Sequence, residues 1–223
     1  MNINKEHSPL WVKVTIWVTI FAFVFAFIAV GFFQVLASMK DDAKSNTANT
    51  KTADAASQIS TINQQYQTQA TSTEALVKKD PKNKDEVAQL ASIYSQWGTA
   101  LMQIQNSNDA QKAALEQLTK ASQYWKQAYD LDPKDKEIAG DYATSLYYIN
   151  DAEGAIKVAQ QVVKENPKYA TVWYNLGIYL SSSNTDEAIK ALENAVKYET
   201  DATQKKAAQQ ALDAVKKQSK ESK

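Results

Sequence analysis

The residues that could carry out chemistry in this chain are carboxylates, Lys, Tyr and Ser, and their spacing shows no catalytic constellation. The 223-residue sequence contains no Cys, and its one His is His7, close to the N-terminus. A Cys nucleophile, a thiolate metal site and a Ser-His-Asp triad in the C-terminal part are therefore excluded. Asp41 and Asp42 form a carboxylate pair, but their polar segment offers nothing to adjust their pKa values. We expect no enzymatic activity, no metal and no cofactor.

The side-chain cations of the chain are lysines, because Arg is absent. The formal net charge is zero, so no overall positive field would attract nucleic acid. Contacts to phosphates and base edges depend on the planar guanidinium of Arg, which Lys does not replace. We therefore expect no nucleic-acid partner.

An uncharged apolar segment occupies residues 14–39, between Lys13 and Lys40. As a helix it would be about 39 Å long at ~1.5 Å per residue, which exceeds the hydrocarbon core of about 30 Å. Trp11 and Trp17 lie near one end, where Trp favours the membrane interface. The sequence thus predicts a single transmembrane helix near the N-terminus.

The orientation and the fate of this anchor are separate questions. Lys5 and Lys13 precede the span, and Lys40 and Lys44 follow it, so the positive-inside rule gives only a slight bias. We expect a cytoplasmic N-terminus, with the C-terminal part of the chain outside the cytoplasm. The alternative is a signal peptide cleaved at the Val-Leu-Ala sequence of 35–37, which would release an exported protein.

A repeated pattern begins after the anchor. Pro133 and Pro167 end two similar segments that lie one period of about 34 residues apart. The sequence WYNLGIYL at 173–180 follows, with Ala188 and Leu192 further on. These residues resemble the tetratricopeptide-repeat (TPR) family, whose repeat is a pair of antiparallel helices. The resemblance implies an all-α array of TPR-like helical hairpins, an α-solenoid.

The two preceding repeats depart further from the pattern. Ala139 and Ala159 replace bulky residues in the repeat that ends at Pro167, although the spacing is kept. In the repeat before it, Trp125 occupies the large apolar position of the second helix. More residues separate it from Gly98 of the first helix than the repeat pattern allows. We interpret this extra length as a longer helical hairpin rather than a loop, because apolar residues continue at helical spacing.

The predicted organisation is a membrane anchor, a tether and a capped array. The segments are an N-terminal tail (1–13), the transmembrane helix (14–39), a flexible polar linker (40–54), an amphipathic helix (55–79), TPR-like repeats over 84–201 (84–133, 136–167 and 170–201) and a capping helix with its tail (202–223). The first repeat is predicted to have helices at 84–105 and 109–131, with Ser107 or Asn108 capping the second. Ala208, Leu212 and Val215 form the apolar stripe of the capping helix.

The resemblance also implies a site. Stacked TPR hairpins form a concave groove, lined mainly by their first helices, that binds a peptide or protein. Asn175 corresponds to an Asn whose amide binds the ligand backbone in TPR peptide sites. The other groove candidates, found by counting along the repeats, are Gln96, Thr99, Asp141, Thr144, Tyr148, Tyr174 and Ile178. These positions largely lack the lysines with which some TPR domains hold a carboxylate.

The anchor and the resemblance together predict a membrane-tethered adaptor or assembly factor that binds a protein or peptide near a membrane complex. A cytosol-facing import receptor of an organelle is the alternative. The side of the membrane on which the repeats lie distinguishes the two.

Overall fold

A computed structural model describes the backbone of residues 47–221 and the side chains of residues 54–220. Within this part of the chain every regular element is an α-helix, and from the second helix onward each packs against the next. The helices are α1 (Thr47–Lys79), α2 (Lys84–Met102), α3 (Asn108–Leu131), α4 (Lys136–Tyr148), α5 (Ala152–Glu165), α6 (Ala170–Leu180), α7 (Thr185–Tyr198) and α8 (Ala202–Glu221). The expected all-α array of hairpins is thus confirmed for the described residues.

None of the described helices is both long and apolar enough to cross a bilayer. The predicted tail at 1–13 and the predicted span at 14–39 lie outside the described residues, so the anchor stays a prediction. The predicted linker at 40–54 lies partly outside them, and α1 begins within it at Thr47 rather than at 55. Once a long helix is nucleated, each added residue gains a backbone hydrogen bond, so a polar extension can continue it.

Polar side chains fix the starts of most helices. Ser107 accepts a hydrogen bond from the backbone N–H of Ala110, so α3 begins at Asn108 rather than at 109. Its partner α2 ends at Met102 rather than at 105, and Asn106 in the turn has a left-handed backbone (φ 57°). The other side-chain caps are Asn83 for α2, Asp135 for α4, Asp151 for α5, Asn184 for α7 and Asp201 for α8. Each satisfies an N–H that the first turn leaves without a helical partner.

Two glycines allow the helices of a hairpin to touch. A Cβ on Gly177 would lie 2.5 Å from Leu192 Cγ and 3.2 Å from the carbonyl oxygen of Ala188, both on α7. A Cβ on Gly98 would lie 2.5 Å from Leu118 Cγ on α3. The close approach expected at this position of the repeat is therefore present in both hairpins.

In the first hairpin, the residues of α2 and α3 that lie opposite each other differ from those that the repeat pattern predicted. Gly98 packs against Leu118, whereas Trp125, about two turns further along α3, donates from Nε1 to Ser95 Oγ at 3.0 Å. Helices α2 and α3 have 19 and 24 residues, against 13 and 14 in α4 and α5. The inserted residues therefore lengthen both helices, as the apolar spacing predicted, and Gly98 belongs to the extension.

Aromatic rings attach α1 to the array. Tyr66, Trp97, Tyr94 and Tyr124 form a continuous stack with centroid separations of 6.2, 5.9 and 5.8 Å. The Nε1 of Trp97 also donates to Asn63 Oδ1 on α1 at 2.8 Å. These large side chains hold α1 against α2 and α3, so α1 continues the array at its N-terminal end.

The core consists of two clusters of buried small and apolar side chains, one from α1 to the start of α4 and one from α4 to α8. Tyr129 of α3 and Tyr142 of α4 stack at 5.3 Å and connect the extended hairpin to the following repeats. At the other end, Ala208, Leu212 and Val215 are buried, which confirms the predicted stripe of the last helix. Each repeat therefore buries its apolar face against a neighbour, which is how solenoids are stabilised.

Candidate functional site

The hydroxyl of Thr144 joins the first helices of two repeats. It accepts a hydrogen bond from Asn175 Nδ2 at 3.3 Å and another from the Tyr179 hydroxyl at 2.9 Å. It donates its own hydrogen to the carbonyl oxygen of Gly140 at 2.9 Å. A hydroxyl has one donor and two acceptor positions, so Thr144 is fully occupied within the protein. The hydroxyl holds Asn175 and has no position left for a further hydrogen bond.

This bonding pattern fixes how Asn175 presents its amide. Since the Thr144 hydrogen goes to Gly140, Asn175 must turn its NH₂ group, not its carbonyl, toward Thr144. Among the described residues no donor reaches the Asn175 carbonyl oxygen, and the side chain is half-buried. One amide hydrogen and the carbonyl oxygen remain for a partner, which is the pair of groups that recognises a peptide bond.

Asp141 lies one turn before Thr144 on α4. Its side chain is exposed, yet enough protein surrounds it to desolvate the carboxylate, and this raises its pKa to about 6. The nearby charges of Glu137 and Asp135 act in the same direction. No Lys among the described residues forms an ion pair with Asp141, so the negative charge on this face is uncompensated. No group of acidic residues in the described part is arranged to hold a metal.

Tyrosines form an apolar rim beyond the Thr144 network. Tyr147 stacks on the buried Tyr179 with a centroid distance of 4.7 Å and is itself 39% exposed. Its neighbour Tyr148 is 42% exposed, and Ile178 is half-buried on α6. Exposed Tyr rings offer a large contact area at a low cost in side-chain entropy.

Tyr174 lines a cavity of about 160 Å³ between α6, the end of α7 and the start of α8. The lining residues are Ala170, Thr171, Tyr174, Ala195, Glu199, Gln204, Ala207 and Ala208. Gln204 follows Ala170 by one TPR period of about 34 residues, so α8 occupies the position of a first helix in a further half-repeat. Helix α8 therefore lines this cavity and also covers the end of the array.

The structure brings together six of the eight predicted site residues. Asp141, Thr144 and Tyr148 lie on α4, Tyr174, Asn175 and Ile178 lie on α6, and the Thr144–Asn175 hydrogen bond connects the two sets.

The two candidates on α2 form only local hydrogen bonds. Gln96 Nε2 donates to Ser92 Oγ at 3.0 Å, and Thr99 Oγ1 donates to the Ser95 carbonyl oxygen at 2.9 Å. Both were counted from Gly98, which belongs to the hairpin extension. When positions are counted from the first residue of each helix, Gln96 in α2 corresponds to Tyr148 in α4. Thr99 is further from the start of α2 than the last residue of α4 is from the start of α4.

Counting along the repeats did not select Tyr179, Gly140 or any residue of α8. The repeat period itself points to Gln204, because it applies beyond the last complete repeat. Nothing in the sequence shows that the Tyr179 hydroxyl reaches Thr144, because that contact depends on how two helices lie against each other.

Comparison with known proteins supports the repeat assignment. Residues 141–202, from within α4 to the start of α8, match the family model described as tetratricopeptide repeat. No curated protein matches the sequence.

Several solved structures have a similar course of helices. The Sgt2 TPR domain from Aspergillus fumigatus is 20% identical with a TM-score of 0.45, and the alignment covers 59% of this chain and 80% of that one. MamA protein is 19% identical with a TM-score of 0.48, over 75% and 87%. YrrB, described as a TPR protein with an unusual peptide-binding site, is 17% identical with a TM-score of 0.40, over 68% and 87%.

Proposed function

We propose that this protein is a membrane-tethered interaction module that binds an extended segment of a partner protein on the surface formed by α4 and α6. The observation that carries the proposal is the half-buried amide of Asn175, held in one orientation by Thr144 with its carbonyl oxygen open. TPR arrays are protein-interaction modules, and the repeats matched at 141–202 contain this surface. We infer that the protein acts as an adaptor or assembly factor.

Recognition would combine one directional contact with apolar area. The Asn175 carbonyl oxygen accepts from a ligand backbone N–H, and its free amide hydrogen donates to a ligand carbonyl oxygen. Tyr174 precedes Asn175 on α6 and the exposed Tyr148 lies on α4, and both supply rigid aromatic surface, a common property of interface anchors. Such a site recognises the backbone of the ligand, and selectivity for particular ligand side chains must come from residues near Asn175.

The proposed anchor at 14–39 would raise the concentration of the repeats near membrane complexes. With the N-terminus in the cytoplasm, the repeats would face away from it and serve proteins of the exported compartment. A cytosol-facing import receptor, or an exported protein released by cleavage at 35–37, would use the same surface. These alternatives differ in where the partner is found rather than in how it is bound.

Site-specific crosslinking in native membranes tests the proposal. A photoreactive amino acid replaces the exposed Tyr148, and a matched control carries it at the exposed Gln160 on α5. We expect a partner protein, identified by mass spectrometry, to be captured from Tyr148 and not from Gln160. Asn175→Ala should weaken binding of that partner by about 1–3 kcal/mol if it leaves a ligand group unpaired, with little change in the melting temperature.

Two results would contradict this function. One is capture of the same partners from both crosslinker positions. The other is a partner that binds folded Asn175→Ala and Tyr174→Ala variants as tightly as the parent protein. In either case the partner would contact another surface, such as the extended hairpin of α2 and α3.

A further inference from the structure

The cavity between α6 and α8 has the size of one apolar side chain. Its volume of about 160 Å³ is close to the ~150 Å³ that accommodates a benzene ring. Ala195, Ala207 and Ala208 line it together with the ring of Tyr174, and polar groups lie among the other lining residues. Small side chains on two converging helices leave a space that the protein itself does not fill, next to the predicted groove.

The charge beside this cavity selects the rest of the occupant. Asp141 lies exposed on α4, one turn before Thr144, whose hydroxyl accepts from Asn175 on α6. Of the nearby cations, Lys136 pairs with Glu137 at 3.5 Å, and Lys205 donates to the Glu199 carbonyl oxygen at 3.5 Å. Neither forms an ion pair with Asp141. A positively charged ligand group would supply the missing countercharge, whereas a carboxylate would be repelled.

The distance between Asp141 and the cavity sets how many residues separate the two ligand side chains that would bind there. The contact of α4 with α6 near Asp141 and the cavity between α6 and α8 mark two crevices, one on each side of α6, and packed helices have axes about 8–10 Å apart. An extended chain advances about 3.3 Å per residue. Two side chains that enter the two crevices are therefore two or three residues apart in the ligand.

We propose that the groove selects an extended peptide segment with a Lys or Arg side chain facing Asp141 and, two or three residues away, a Leu- or Phe-sized side chain in the cavity between α6 and α8. This inference rests on the proposed peptide-binding function and specifies its ligand. The Asn175 amide lies on α6, between the two crevices, and holds the intervening backbone.

Peptide selection with the full-length protein in detergent tests this specificity. A phage library of random octapeptides is the probe, and the bound sequences are counted for the parent protein and for variants. Asp141→Asn removes the charge, with Asp186→Asn as its exposed control on α7. Ala207→Leu fills the cavity, with Ala214→Leu as its exposed control on α8. Circular dichroism verifies that each variant folds.

We expect the parent protein and both controls to enrich a basic residue two or three positions from a large apolar one. Asp141→Asn should lose only the basic preference and bind a selected peptide about tenfold more weakly, and Ala207→Leu should lose only the apolar preference. Selected peptides whose binding is lost in the Asn175→Ala variant but which lack the basic–apolar pair would overturn this inference and leave the groove function intact. An absence of selected peptides, or selection unaffected by Asn175→Ala, would overturn both.

Discussion

Gly177→Ala tests whether α6 and α7 touch as closely as the structure indicates. The new Cβ would lie 2.5 Å from Leu192 Cγ and 3.2 Å from the Ala188 carbonyl oxygen. Leu192 is fully buried and cannot turn outward, and the carbonyl oxygen belongs to the α7 backbone. The added methyl must therefore push the two helices apart or distort Leu192.

Two opposing free energies decide the sign of the effect. Replacing a Gly within a helix by Ala stabilises the helix by about 1 kcal/mol, because Gly loses more backbone entropy on folding. Overpacking a filled core costs about 1–3 kcal/mol. Because backbone as well as side chain is in the way, we expect overpacking to win, with a net loss of about 1–2 kcal/mol. In a domain of this size that lowers the melting temperature by roughly 2–8 °C.

A double-mutant cycle provides the control. Leu192→Ala alone removes a buried side chain and costs about 2–5 kcal/mol, but it also makes room for the new methyl group. In that background Gly177→Ala should no longer destabilise, and should stabilise by up to about 1 kcal/mol, because the Leu192 side chain is gone and only the Ala188 carbonyl oxygen opposes the gain in helix propensity. Urea unfolding followed by circular dichroism measures all four proteins. If Gly177→Ala stabilises the parent as much as it stabilises the Leu192→Ala variant, the helices are not in close contact here.

Three further predictions concern the core, the groove and the anchor. Trp125→Ala should destabilise the array by about 3–5 kcal/mol in urea, since the side chain is only 7% exposed; a loss below about 1 kcal/mol would contradict its burial. Asp141 has a pKa of about 6 when folded against an ordinary 3.8, so ionisation favours the unfolded chain, and stability should fall as the pH rises from about 4 to 6. Asp141→Asn should remove this fall and stabilise the protein at neutral pH by about 1 kcal/mol or less, because solvent screens the exposed carboxylate. A variant with the same pH profile as the parent would contradict the raised pKa of Asp141. Protease added to intact spheroplasts should digest the repeats, and digestion only after lysis would place them in the cytoplasm.

The sequence alone determined the helical class, the repeat period and much of the packing. Trp125 and the stripe of Ala208, Leu212 and Val215 were identified by spacing, because which face of a helix is buried depends on a local period of about 3.6 residues. In a solenoid each repeat packs only on its neighbours, so the local pattern carries most of the fold. The helix ends at Met102 and Asn108 differed by three residues or fewer from those predicted, since a terminal turn gains or loses little free energy, whereas α1 begins more than two turns early, at Thr47.

Only the tertiary structure decided which polar groups of the proposed groove are already hydrogen-bonded and which are open. Thr144 was predicted to line the groove, and the structure adds that its hydroxyl accepts from Tyr179 and Asn175, which depends on the crossing of α4 and α6. The desolvation of Asp141 likewise arises from atoms that lie far away in the sequence. The cavity beside Tyr174 exists because the residues of α8 that face α6 have small side chains. The sequence alone does not show whether an Ala packs against a neighbouring helix or lines a cavity.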